Sequence, residues 1–210
     1  MPSLHIAQRL DTLLDEIRQC RICEPELALG ARPVLQCAPG ARILIAGQAP
    51  GSKVHASGIP FDDASGDRLR AWMGIDREVF YDPQRIAILP MGFCYPGTGK
   101  SGDLPPRPEC ATTWRRALLR KLPRIELTLV LGQYAQTWHF DSRADSLTAR
   151  VSDWRSYCRD GQPAMLPLPH PSPRNNRWLK QNPWFEAELL PELKTRVNQL
   201  LEIPMSDANE

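Results

Sequence analysis

The stretch Ile43-Leu44-Ile45-Ala46-Gly47-Gln48-Ala49-Pro50-Gly51 decides the fold. Four apolar residues in unbroken succession, without polar alternation, read as a strand covered on both faces. Glycine and proline follow at once, so the strand runs into a rigid turn whose backbone N–H groups can come close to a ligand. Three further runs share the pattern: Ile86 to Leu89, Leu127 to Leu131 and Met165 to Leu168. Pro167 suits the edge or end of a sheet.

Helical spacing fills the intervals. Ile6, Leu10, Leu13, Leu14 and Ile17 recur along one face, with Ser3 as the cap. Ser65 caps a helix carrying Leu69, Trp72 and Met73, and Ala111, Trp114, Leu118 and Leu119 mark another. A last helix begins at Asn182-Pro183 and carries Phe185, Leu189, Leu193, Val197 and Leu200, with a kink at Pro191. Strands alternating with helices predict an α/β fold: a three-layer α/β/α domain over residues 1–210 with a central, mostly parallel four-stranded sheet. Ligands of such sheets bind outside the carboxyl ends of the strands. The loops after Ala46, Leu89, Leu131 and Leu168 are therefore the places for a site.

Composition narrows the class. With 210 residues, 42% hydrophobic and 24% charged, the chain suits one well-buried core and not a disordered segment. No apolar run approaches the roughly 20 residues of a membrane span. The first ten residues lack a basic segment followed by an apolar one, so no secretory signal is expected and the protein reads as cytoplasmic. A formal net charge of +2 does not by itself announce a nucleic-acid binder, so any basic face must be local. Six cysteines in a cytosolic chain argue for metal or cluster ligands over a disulfide framework.

Three constellations carry chemistry. After the first strand, Gly58-Ile59-Pro60-Phe61 closes the loop that Gly47 opens; Phe61 is either an aromatic platform for a flat base or a core residue beside a tight turn. After the fourth strand, Pro169-His170-Pro171-Ser172-Pro173-Arg174-Asn175 holds His170 between prolines. A histidine so held can donate to developing negative charge or move a proton, or be purely structural. Third, Cys20 and Cys23 form a C-x-x-C pair, and Cys94 and Cys110 are separated by fifteen residues. The pair alone fits a zinc half-site, a redox pair or chance. Cys37 and Cys158 fit neither pair and read as incidental thiols. Gly97-Thr98-Gly99-Lys100-Ser101 resembles the end of a P-loop, but Cys94 stands where that loop needs its first glycine.

Together these motifs resemble the uracil-DNA glycosylase superfamily, especially its iron–sulfur branch, often called family 4. Gly47, Ala49, Pro50, Gly51, Gly58, Pro60 and Phe61 match the branch's first-loop pattern without a gap, and His170-Pro171-Ser172 is similar to its histidine segment. Three departures stand out: Gln48 replaces the branch's glutamate, Val54-His55 replaces its Glu-Asp pair, and Pro90 replaces its base-reading asparagine. The resemblance implies a monomeric DNA-repair enzyme that flips uracil, or another deaminated base such as hypoxanthine or xanthine, out of DNA and hydrolyses its N-glycosidic bond. The alternative is a protein that captures uracil-containing DNA with little or no turnover. The family implies that Phe61 stacks on the flipped base, the backbone of Gln48 and Ala49 contacts its edge, and Pro90 shapes the pocket. His170 stabilises charge on the leaving base; Asp62, Asp63 and His55 are candidates to position water. Ser172, Arg174 and Asn175 follow the histidine and reach toward DNA. The resemblance also implies a [4Fe–4S] cluster on Cys20, Cys23, Cys94 and Cys110, with zinc in the same thiolates as the alternative. No membrane partner is expected.

Overall fold

The structure, a computed structural model, describes residues 2–100, 102–140 and 146–203, with side chains from Leu10 onward apart from Pro163. The chain begins in α1 (Pro2–Arg18) and reaches β1 (Ile43–Ala46) through an irregular segment. There follow α2 (Ser52–Ser57), α3 (Ala64–Met73), α4 (Arg77–Tyr81) and β2 (Ile86–Ile88). A small ribbon, β3 (Thr98–Gly99) and β4 (Gly102–Asp103), precedes a helix built from α5 (Pro108–Cys110), a π-helical turn (Ala111–Arg115) and α6 (Arg116–Leu119). Then come β5 (Leu127–Leu131), α7 (Gly132–His139), α8 (Leu147–Ser152), a second ribbon of β6 (Cys158–Arg159) and β7 (Gln162–Pro163), and β8 (Met165–Leu168). The chain closes with α9 (Asn176–Gln181) and, after a π-helical turn at Phe185–Leu189, α10 (Leu190–Leu201).

The four apolar runs form one all-parallel sheet in the order β2-β1-β5-β8. Ile43 pairs with Ile86 on one side and Leu127 on the other, and Leu131 pairs with Leu168. Pro167 fits because β8 is an edge strand. Helices cover both faces, giving the expected three layers. Ile43, Ile45, Leu129 and Leu166 pack against Leu69, Trp72 and Met73 of α3 and Leu193, Val197 and Leu200 of α10. On the other face, Leu44 and Ala87 meet Leu10, Leu14 and Ile17 of α1 and Leu118 of α6. Each such fully buried leucine or isoleucine contributes about 1.5–3 kcal/mol. Among the described residues no helix is long and apolar enough to cross a membrane.

Several expected helix boundaries are corrected. The first helix already includes Pro2, so Ser3 lies inside it and does not cap it; the Ser3 and Ile6 side chains lie outside those described. Asp63, not Ser65, caps α3: its carboxylate accepts from Gly66 N at 3.0 Å while Ser65 sits in the first turn. Asn182 accepts Phe185 N–H through its backbone oxygen, and its side chain bridges Trp178 and Trp184. At Pro191 the regular α-helical winding gives way: a π-helical turn at Phe185–Leu189 directly precedes α10, and the proline occupies its first turn.

The sheet order reverses between β1 and β5. The connection from β1 leads outward to β2, and the next one returns to the far side of β1. That switch point opens a crevice at the strands' carboxyl ends.

Candidate functional site

The crevice is a cleft of about 580 Å³, within the range of small-ligand sites. All four strand ends contribute: Gly47 to Val54 after β1, Pro90 after β2, Tyr134 after β5, and His170, Ser172, Arg174 and Asn175 after β8. Phe61, Asp63, Ser65 and Asp103 complete its wall.

Backbone hydrogen bonds fix the floor. Met91 N donates to Gly47 O at 2.9 Å, and Gly92 N donates to Gln48 O at 3.0 Å, so the first two loops brace one another. Phe61 is half-buried, its ring edge-on to Phe80 at 6.2 Å between centroids. Its φ of 55° is in the left-handed region that a bulky residue enters at a cost of about 1–3 kcal/mol. The lack of a side chain at position 66 allows the packing that holds it there. A Cβ on Gly66 would stand 1.8 Å from Phe61 O, so only glycine lets α3 pack onto the strained turn. The turn and the helix are locked together.

The histidine loop is equally constrained. Ser172 N donates to His170 Nδ1 at 3.2 Å, which makes Nδ1 an acceptor and leaves the proton of the neutral ring on Nε2. Burial holds the imidazole below its ordinary value, while the charges of Asp63 and Asp103 pull the other way. Asn175 Nδ2 donates to His170 O at 2.6 Å, and Ser172 Oγ accepts Arg174 N–H. Arg68 of α3 reaches across to Ser172 O at 3.1 Å and to Asn176 Oδ1 at 2.7 Å. Ser172 and Asn175 thus spend their hydrogen bonds on the loop itself, and Arg174 and Lys53 both line the cleft.

Gln48, Ala49, Phe61, Pro90, Asp63 and His170 meet in this cleft; Asp62 and His55 do not line it. Asp62 is held by Arg77 at 2.8 Å, which lowers its carboxyl below the usual range. His55 sits in α2 beside the Tyr95 ring, 6.1 Å between centroids, with Nδ1 buried and without a partner. Sequence reasoning passed over Ser65, Tyr134 and Asp103 as lining residues. Tyr134 follows a strand end and was within reach of the same rule; Asp103 depends on a ribbon that the glycine-rich segment did not reveal.

A buried arginine supports the floor from beneath. Arg115, fully inaccessible, hydrogen-bonds the carbonyls of Leu89 and Pro90, the latter at 3.2 Å, and contacts His139 Nε2 at 2.7 Å. Its guanidinium also lies over the Trp138 ring, 4.9 Å from the centroid. Burial, with the arginine's charge, pushes the His139 imidazole down to about 3, so it accepts the contact as a neutral ring.

Cys20, Cys23, Cys94 and Cys110 line a second space, walled by Ile17, Leu27, Phe93 and Trp114. Cys37 and Cys158 lie elsewhere, in the hydrophobic layers. Burial pushes the Cys94 thiol up to about 11 and the Cys110 thiol to about 12, and each of these feels both Cys20 and Cys23. Phe93 N donates to Cys110 Sγ at 3.3 Å, and Arg107 lies beside Cys23. The Phe93 donor suits a negatively charged thiolate group, while beside Cys23 the Glu109 carboxylate, 4.0 Å from its Sγ, opposes Arg107. Among the described residues no three histidine, cysteine or acidic side chains converge on a point that would hold one metal ion.

A family model described as the uracil DNA glycosylase superfamily matches residues 35–194, about three quarters of the chain.

Proposed function

The chain belongs to the uracil DNA glycosylase superfamily, and from that premise we propose that it flips uracil, or another deaminated base, out of DNA and hydrolyses its N-glycosidic bond. One observation carries the reading: a neutral His170, its Nε2 proton free to donate, lines the same cleft as Phe61 and the braced backbone of Gln48 and Ala49. Extruding a base costs a few kcal/mol and costs least at a mispair, which favours U opposite G. Phe61 offers the flipped base an aromatic face. The Gln48–Ala49 backbone and the Gln48 side chain meet its polar edge. As the glycosidic bond breaks, negative charge gathers on the base, and the Nε2–H of His170 stabilises it. A neutral donor suits this role because it need not first lose a proton to a nearby group. Pro90 presents no polar side-chain atom, and its carbonyl is engaged by Arg115. Discrimination among deaminated bases therefore falls to the Gln48 edge. Lys53 and Arg174, which both line the cleft, supply local positive charge for the DNA backbone in a chain whose net charge is only +2.

Cys20, Cys23, Cys94 and Cys110 would hold a [4Fe–4S] cluster. The space that all four cysteines line and the Phe93 N–H donated to Cys110 Sγ support that reading. When bound, the cluster would supply structural cross-linking between the end of α1 and the segment from Cys94 to Cys110.

Purified protein, without nucleotide or magnesium, should release free uracil from single-stranded and U:G duplex DNA over multiple turnovers. Release of hypoxanthine or xanthine in preference to uracil would move the substrate to that base. Tight binding of uracil-containing DNA without release of any deaminated base would replace the hydrolase with a capture protein.

A further inference from the structure

Hydrolysis at the sugar needs a group to hold and deprotonate water, and the branch's Glu-Asp pair is Val54-His55 here. Neither offers the site a carboxylate: Val54 lines the cleft with an apolar side chain, and His55 lies outside the lining. Two carboxylates do line the cleft, Asp63 and Asp103. Asp63 Oδ1 is committed to the α3 cap, where moving it would unseat the Phe61 turn.

Asp103 is different in every respect. It stands on β4, where Gly99 pairs with Gly102 and Thr98 pairs with Asp103, so a two-rung ribbon presents it over the cleft. Gly102 at φ +136° turns the ribbon in a way that no side-chain-bearing residue adopts easily. Asp103 Oδ2 lies 3.7 Å from where a Cβ on Gly51 would stand, which places the carboxylate directly above the end of the first loop. The residue is exposed, and among the described residues its carboxylate makes no hydrogen bond or ion pair. Its charge nevertheless reaches His170 across the cleft. A carboxylate kept unpaired beside a donor for the leaving group is the arrangement that glycoside hydrolysis uses, since positive charge grows on the sugar while a water approaches its opposite face.

Resting on the glycosylase reading above, we propose that Asp103, delivered by the Thr98–Asp103 ribbon, is the catalytic carboxylate that positions the attacking water and accepts its proton. The water oxygen forms a bond to C1′ of the deoxyribose. The C1′–N bond breaks, and its electron pair leaves with the base as an anion facing His170 Nε2–H. The water's proton passes to Asp103, and the products are an abasic sugar and the free base, which later takes up a proton. No oxidant, reductant or further reactant is required.

The test compares wild type with Asp103→Asn and Asp103→Glu on two readouts. Single-turnover excision from U:G DNA at saturating enzyme should fall about 10²–10⁴-fold in Asp103→Asn, as loss of a general base does. Affinity for duplex DNA carrying 2′-fluoro-deoxyuridine, which resists cleavage, should change little, and Asp103→Glu should regain part of the rate. An Asp103→Asn protein with the wild-type rate overturns the assignment. So does a loss of rate matched by an equal loss of affinity, which would mark a binding residue. Both of those outcomes leave the glycosylase reading standing; a wild-type protein inert on every deaminated base takes down both.

Discussion

The segment Pro90–Cys94 separates two spaces that are built on opposite plans. On its Pro90 side lies the cleft, open, polar and assembled from the ends of all four strands. On its Phe93–Cys94 side lies the cysteine-lined space, apolar-walled and assembled from a helix end, a loop and a helix start that the sheet does not position. In the cleft, backbone bonds and small side-chain clamps hold the geometry before any ligand arrives. Around the cysteines the protein supplies four half-buried thiols from separate segments, so their cohesion depends on whatever those thiols bind. The first region is organised for chemistry and the second for cohesion, and variants should separate the two.

Of the variants that separate the two regions, the largest effect should come from His170. Replacing it with asparagine removes the Nε2 donor to the leaving base, a loss of about 2.7–4 kcal/mol. Single-turnover excision should slow by roughly two to three orders of magnitude, with the melting temperature and any bound iron unchanged. A His170→Asn protein with near-normal chemistry would place the anion-stabilising group elsewhere in the cleft.

A smaller effect, on stability, should follow acidification. His139 has a folded value of about 3 against an ordinary 6.5, so the unfolded chain binds the proton more readily. Its contribution is therefore fully present above pH 6.5 and is lost as pH falls from there toward 3. By pH 5 this amounts to about 2 kcal/mol. Melting temperatures measured between pH 7.5 and 5 should decline, and His139→Gln should decline less steeply. Identical slopes would mean that the contact with Arg115 does not set this dependence.

The smallest effect on chemistry should come from the cysteines. Anaerobically purified protein should be brown with about four irons per chain. Cys110→Ser should lose the colour and melt at lower temperature, yet excise within about tenfold of wild type, equivalent to about 1.4 kcal/mol in the barrier. A much larger loss of rate would join the two regions into one functional unit, and colourless wild-type protein carrying one zinc would replace the cluster.

Much of the cleft was legible in the sequence because buried parallel strands leave continuous apolar runs and their loops carry glycine and proline. Where the deciding partner lies far off in sequence, reading failed. The pattern Ala111, Trp114, Leu118 and Leu119 puts Arg115 on the apolar side of its helix, but its charge marked it for solvent; it is fully buried because the carbonyls of Leu89 and Pro90 and the His139 ring, all distant in sequence, receive its guanidinium. Helix α7 was missed because its buried face includes Ala135 and Gln136 while Tyr134 and Trp138 face outward, the reverse of an amphipathic signal. Gln136 is buried since its amide donates to Leu168 O at 2.9 Å, a bond between distant segments that no local window contains. The ribbon bearing Asp103 was hidden in a glycine-rich stretch that resembled a phosphate loop.

The prolines around the cleft have a consequence for the energetics of recognition. Pro50, Pro60 and Pro90 line it, and Pro169, Pro171 and Pro173 frame His170. Each fixes one backbone torsion and thereby narrows the conformational ensemble of the unfolded chain. The ordering entropy of these loops is thus given up once, at folding, and is not charged again when a nucleotide enters. Binding to this cleft should consequently show little entropic penalty from the protein, leaving the cost of unstacking the base as the main opposing quantity.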